Sequence, residues 1–192
     1  RSILKAERLV LNCMQRMSGV ATKTKRFSEK IEGTGAILPD TRKTTPNFRM
    51  LDKWAVLIGG GQNHRFGLFD MIMLKDNHIM AAGGVESAII RTKDYLRTLN
   101  KKLRIEIEAC SIDQVRQILA VGGVDVIMLD NMTVPMLKEC VRLIAGRFKT
   151  EASGGVSEVT IREIAACGVD YISVGELTHS VRSLDMSLKI VG

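Results

Sequence analysis

The sequence predicts an α/β fold whose parallel strands curl into a barrel, and three observations lead there. Strand-like and helix-like segments alternate about every two dozen residues, which calls for right-handed β-α-β crossovers. The strand-like runs, such as VDVIMLD, are apolar almost throughout, as strands buried on both faces are. Polar groups sit at the C-terminal ends of successive strands: Arg42 and Lys43, Lys75, Glu108, Asp130, Ser153 and Gly175. In a barrel those ends converge on one mouth, whereas an open sheet would string them along an edge where they could not meet one ligand. About six strands are legible, against the eight of a full barrel.

The elements follow in order. RSILKAERLVLNCMQRMSGVAT opens inside an amphipathic helix, with Leu9, Val10, Cys13, Met14 and Met17 as its apolar stripe. A chain that opens mid-helix is expected to be a piece of something longer. AILPDT is a short strand and FRMLDKWAVLI a helix or packed loop. MIMLKDN is a strand, then VESAIIRTKDYLRTL a helix with Ala88, Ile89, Tyr95, Leu96 and Leu99 facing inward. LRIEIEA is a strand and SIDQVRQILAVG a helix, capped by Ser111 with Asp113 in its first turn. VDVIMLD precedes the helix TVPMLKECVRLIAG, capped by Thr133. FKTEAS precedes the helix SEVTIREIAACG, capped by Ser157, and VDYISVG is the last strand. Gly122, Gly146 and Gly168 fall where left-handed residues end helices. No linker or repeat divides residues 1–192, which read as a single domain.

Bulk properties narrow the function classes. With 45% hydrophobic and 26% charged residues the chain is neither disordered nor fibrous. A net charge of +7 favours an anionic partner, while 4% aromatics leaves few platforms for stacking bases. That argues against nucleic acid. No apolar run approaches the ~20 residues of a membrane span. The four cysteines lack CxxC spacing and read as reduced thiols of a cytoplasmic protein.

IEIEA turns Glu106 and Glu108 to the barrel interior and Ile105 and Ile107 to the helices. Buried carboxylates need a cation, which a neighbouring arginine or lysine could supply as well as a metal. Asp130, closing DVIMLD, is either a turn residue or a partner to Glu108 in a hard-cation site. SGG (Ser153, Gly154, Gly155) and SVGELTHS follow the last two strands, where glycine lets backbone N–H groups approach a phosphate. TRKTTP carries Arg42, suited to gripping a carboxylate, and Lys43, a point charge. His64 and Arg65 follow GGGQ, and Lys75 ends the apolar run MIML. His78 and His179 lack metal-ligand spacing and read as supporting residues. So many cations at one mouth suit a ligand with several carboxylates and phosphates.

LPDTRKTTP, GGGQNHRFGLFDMIMLKDNHI, IEIEA, IMLDN, EASGGV and YISVGELTHS together resemble the quinolinate phosphoribosyltransferase family, over nearly the whole chain. The resemblance implies an incomplete, open α/β barrel of the type II phosphoribosyltransferase kind. It implies phosphoribosyl pyrophosphate and quinolinate as substrates, Mg2+ as cofactor, and a homo-oligomer, dimeric or larger. By the same resemblance Arg42, His64, Arg65 and Lys75 would hold the two carboxylates of quinolinate. Lys43 would sit between the two substrates as a catalytic residue. Glu108 and Asp130, also catalytic, would address the ribose hydroxyls and, with pyrophosphate, the metal. Ser153, Gly154 and Gly175 would take the 5-phosphate, and Thr41, Gly155, Val174 and Glu176 belong to the same substrate-binding set. The family's N-terminal domain, with a further substrate-binding arginine, has no counterpart in this chain. Two other readings remain open: a paralogue like the molybdenum-transport-associated relatives with another substrate, and a non-catalytic assembly domain.

Overall fold

The structure, a computed structural model, describes residues 2–191. Five strands form one parallel sheet in sequential order: β1 (Ile72–Leu74), β2 (Ile105–Ala109), β3 (Val126–Asp130), β4 (Lys149–Ser153) and β5 (Tyr171–Ile172). Sequential order without reversal is what a barrel requires and a doubly wound sheet lacks. The expected first strand, AILPDT, is reduced to isolated bridges, Ile37 to Tyr171 and Pro39 to Gln62. Pro39 has no N–H to donate, so a regular ladder cannot run through it. Ile37 nonetheless accepts from Ile172 and donates to Asp170, both at 2.9 Å, extending the wall beyond β5.

Helices coat the outside: α1 (Ser2–Ile31), α2 (Arg49–Ile58), α3 (Asp76–Ala82), α4 (Val85–Thr98), α5 (Ile112–Val121), α6 (Val134–Ile144), α7 (Ile161–Ala165) and α8 (Glu176–His179). Alternation along the strands sends Ile105, Ile107, Ile127, Leu129, Ala152 and Ile172 outward, into a core with Val115, Ile118, Leu137, Cys140 and Ile161. The intervening Glu106, Glu108, Met128 and Glu151 belong to the inner side.

Several local expectations need correction. On α1 the buried face is Leu11, Val20, Thr24, Phe27 and Ile31; Leu9 (71% exposed), Val10 and Met14 point to solvent. Periodicity reports an apolar face but not what covers it; α1 packs on α2, α7 and α8, and the residues it buries are not the N-terminal stripe. On α4, Ala88, Ile89 and Leu96 are buried as expected, but Tyr95 and Leu99 are exposed. Leu99 lies past the last helical residue, and Tyr95 sits at the margin of the stripe beside the edge strand β1. Ser157 caps the turn that leads into α7, as expected: its hydroxyl accepts the Thr160 N–H at 3.3 Å, Thr160 Oγ1 accepts its N–H at 3.0 Å, and its carbonyl accepts from Ile161 at 3.0 Å. Thr133 holds the N-cap position of α6 without a side-chain bond.

Ser111 caps α5 as expected, its hydroxyl accepting from the Gln114 N–H at 3.2 Å. Ser111→Ala is expected to lower stability by about 1 kcal/mol in urea unfolding, with Ser111→Asp close to unchanged. Gly122, Gly146 and Gly168 adopt positive φ of 64°, 72° and 86°, which glycine reaches without strain, although Gly122, with ψ −168°, is not left-handed helical.

Candidate active site

The strand C-termini open into one cavity of about 830 Å³. All of Thr41, Arg42, Lys43, His64, Arg65, Lys75, Glu108, Asp130, Ser153, Gly154, Gly155, Val174, Gly175 and Glu176 line it. The convergence inferred from strand ends is therefore physical: seven separate segments of the chain meet around one space.

Its cations come in two states. Lys75 is neutralised by Glu108, Nζ to Oε1 at 2.6 Å, and its backbone N–H is capped by His78 Nδ1 at 3.0 Å. Arg42, Lys43 and Arg65 form no salt bridge among the described residues. Arg42 Nε is buried with no hydrogen-bond partner. Arg65 donates to the Met71 carbonyl at 3.2 Å and the Met73 sulfur at 3.5 Å, neither of which balances its charge. Burial, then the adjacent Arg42 charge, lowers the Arg65 pKa. Two desolvated guanidiniums side by side repel, and an anion between them relieves both penalties. Lys43 follows Arg42 in the same loop and also lines the cavity; its carbonyl accepts from Thr178 Oγ1 at 2.8 Å, and its N–H donates to Thr41 Oγ1 at 3.1 Å, which shapes the TRK turn.

The acids occupy neighbouring strand ends. Asp130 accepts from Ser153 Oγ at 2.6 Å and from Asn131 Nδ2 at 2.7 Å, which orients its carboxylate without neutralising it. Glu108 also receives the Asp76 N–H at 3.4 Å. Beside them, Gly154 has φ 86°, and a Cβ there would lie 2.2 Å from Asn131 Oδ1. Gly175 has ordinary φ but faces His179 and Lys43, with 3.1 and 3.2 Å to an added Cβ. Val174 is buried, so only its backbone can meet a ligand, and Glu176 is held by Lys23 of α1. His179 bonds Ser180 at 2.6 Å.

Sequence reasoning turned Glu106 inward but missed Asp40, Lys53 and Glu151, which complete the layer beneath. Asp40 and Lys53, both buried, pair with each other, and Asp40 also accepts the His64 N–H at 2.9 Å. His64 Nε2 lies 3.0 Å from Glu106 and 3.4 Å from Glu151, while Nδ1 accepts the Arg65 N–H at 2.8 Å. Burial lowers the His64 pKa, but the bonds to Glu106 and Glu151 outweigh it and take it to about 9. A doubly protonated ring would set Nδ1–H against the Arg65 N–H already pointing at it. The hydrogen bonds therefore favour the Nε2–H tautomer. Burial, the largest cause, raises the Glu106 pKa, so Glu106 is the carboxylate placed to share the cluster's proton. Glu151 was legible: KTEAS places it on the same face as Ser153.

Residues 20–189 match the family described as quinolinate phosphoribosyl transferase, C-terminal domain. The chain belongs to the quinolinate phosphoribosyltransferase family. It is 52% identical to the mitochondrial decarboxylating quinolinate phosphoribosyltransferase 2 of Nicotiana glauca, covering 98% of this chain and 57% of that protein. It is 50% identical to the chloroplastic carboxylating nicotinate-nucleotide pyrophosphorylase of Arabidopsis thaliana, covering 98% and 58%. The crystal structure of NadC from Streptococcus pyogenes superposes with a TM-score of 0.91 at 44% identity, covering 98% of this chain and 65% of that one. The chain thus spans a little under two thirds of the length of these relatives, and the open α/β barrel is the fold it shares with them. None of its helices, among the described residues, is long and apolar enough to cross a membrane.

Proposed function

We propose that this chain carries the site for phosphoribosyl transfer from phosphoribosyl pyrophosphate to quinolinate, giving nicotinate mononucleotide, pyrophosphate and CO2. The observation behind the reading is the pair Arg42 and Arg65, two partly buried guanidiniums without carboxylate partners at a mouth that also holds Glu108 and Asp130. A pyridine dicarboxylate satisfies the arginines, and Met73 and Met128 give its ring apolar surface. Lys43 stands where it can meet both substrates. Gly154, Gly155, Ser153 and the Gly175 backbone take the 5-phosphate end, with Thr41, Val174 and Glu176 shaping the adjoining loops.

As pyrophosphate leaves, positive charge grows on the ribosyl carbon, and fixed carboxylates at Glu108 and Asp130 stabilise it. The pyridine nitrogen bonds that carbon as its bond to the pyrophosphate oxygen breaks. The resulting pyridinium stabilises the electron pair left on the adjacent ring carbon when its carboxylate departs as CO2, and a proton from solvent completes the C–H bond. Both carboxylates are already oriented by protein donors, which fits a hydrated Mg2+ met through water and phosphate oxygens better than one stripped of its waters. Bound there, Mg2+ would neutralise charge on the pyrophosphate. Assembly into a homo-oligomer is supported by exposed apolar side chains on the packed pair α1 and α2, including Leu9, Met14, Met50 and Trp54. The free thiols suit a reducing compartment such as the cytoplasm.

Calorimetry tests the reading. Quinolinate is expected to bind about 10- to 100-fold more tightly than nicotinate, because losing one carboxylate forfeits a charged hydrogen bond worth roughly 1.5–3 kcal/mol. Equal affinity for the two would remove the case for a dicarboxylate pocket.

A further inference from the structure

Every polar atom of His64 is taken by protein. Its N–H goes to Asp40 at 2.9 Å, its carbonyl accepts from Lys53 at 3.1 Å, Nδ1 accepts the Arg65 N–H at 2.8 Å, and Nε2 meets Glu106 and Glu151. The cavity wall thus contains a residue with nothing left to offer a ligand. What it offers is geometry: the ring joins two buried carboxylates on β2 and β4 to the peptide N–H of Arg65.

His64, Glu106 and Glu151 also have the spacing of a divalent-cation site. Nδ1 is an acceptor, however, so the single proton of a neutral ring sits on Nε2, the atom that would have to ligate. A ligating histidine has the reverse arrangement, with its other nitrogen donating. The carboxylates are there to receive that proton, not a metal. Each has its second oxygen buried without a partner, a cost retained for some purpose.

We propose that Glu106 and Glu151 are positioning residues of the anion clamp: through the His64 ring they fix the Arg65 peptide, and so hold the Arg65 guanidinium beside Arg42. This rests on the dicarboxylate reading above. Neither glutamate touches the substrate, and His64 acts by orientation alone. Acceptor geometry is what the clamp needs, so glutamine, which retains an acceptor oxygen of the same reach, should serve where alanine does not.

The test uses the full encoded protein. Glu106→Ala and Glu151→Ala are expected to raise the KM for quinolinate about 10- to 100-fold, the cost of a misplaced binding group, with the KM for phosphoribosyl pyrophosphate unchanged. Glu106→Gln should restore the wild-type value and guards against a variant that merely fails to fold. Nitrogen-15 NMR of the His64 ring should show Nε2 protonated and Nδ1 bare in wild type and in Glu106→Gln, with neither resonance moved by quinolinate. Loss of both KM values together in the alanine variants would make the glutamates general supports of the fold and overturn the proposal. So would a shift of the ring nitrogens on adding quinolinate, which would put His64 in direct contact with substrate. If wild type binds no quinolinate, the dicarboxylate reading fails instead, and the ring tautomer still decides whether the glutamates position His64.

Discussion

Arg65→Ala and Arg42→Ala each weaken quinolinate binding by about 2–5 kcal/mol, the range for removing one partner of a desolvated charge pair. The structure gives both variants the same cause but different side effects. Arg42 has a buried Nε with no protein partner, so its removal uncovers nothing else and the fold stays intact. Arg65 also donates to the Met71 carbonyl just before β1, so its loss frees one backbone acceptor at the edge of the sheet. A small drop in unfolding free energy, below about 1.5 kcal/mol, is expected for Arg65→Ala and none for Arg42→Ala. Calorimetric titration and urea unfolding read the two effects separately. Because each arginine raises the cost of burying the other, the double variant should lose less than the sum of the singles. Unchanged affinity in both single variants would place the dicarboxylate elsewhere in the cavity.

The barrel was legible because its two signals are local. Alternation in IEIEA and unbroken apolar runs such as VIML fix which face of each strand meets the helices, and the glycines after α5, α6 and α7 mark where the helices stop. What failed was coverage. Leu9, Val10 and Met14 form an apolar stripe whether or not anything lies against it, and Tyr95 differs from Leu96 only in where the edge of the sheet happens to fall. The strand read at AILPDT failed for a different reason. One proline suffices to break a ladder while leaving the chain extended, and extended chain is all that the pattern reports.

The cavity residues were legible for a topological reason: in a parallel barrel, a polar residue ending an apolar strand must reach the mouth. That rule placed Lys75, Glu108, Asp130 and Ser153 without any contact being known. It says nothing about pairing. Lys75 was expected at the substrate carboxylates, and its closest partner in the structure is Glu108. The layer of Asp40, Lys53, Glu106 and Glu151 lies one step deeper, where groups 13 to 24 residues apart and more meet only through the fold. A lysine inside the helical run MLDKWAVLI gives no sign in sequence that it is buried.

Asp130→Asn separates the two halves of the site most cleanly. Asp130 accepts from Ser153 Oγ and Asn131 Nδ2, and touches none of the cations proposed to hold quinolinate. An asparagine keeps its shape but removes the negative charge; its amide N–H can donate to the Ser153 hydroxyl while its oxygen still accepts from Asn131. Turnover with phosphoribosyl pyrophosphate should fall about 100- to 1,000-fold, the scale for losing one group aimed at developing charge, and raising Mg2+ should not recover it. Quinolinate affinity should not move. Glu108→Gln should show a comparable loss of turnover with a different second effect. Its carboxylate neutralises Lys75, so the substitution frees a cation toward the dicarboxylate, and quinolinate should bind equally well or somewhat more tightly. Opposite behaviour, with quinolinate affinity collapsing while phosphoribosyl pyrophosphate use persists, would make the two acids partners of the carboxylate clamp and not of the ribosyl centre.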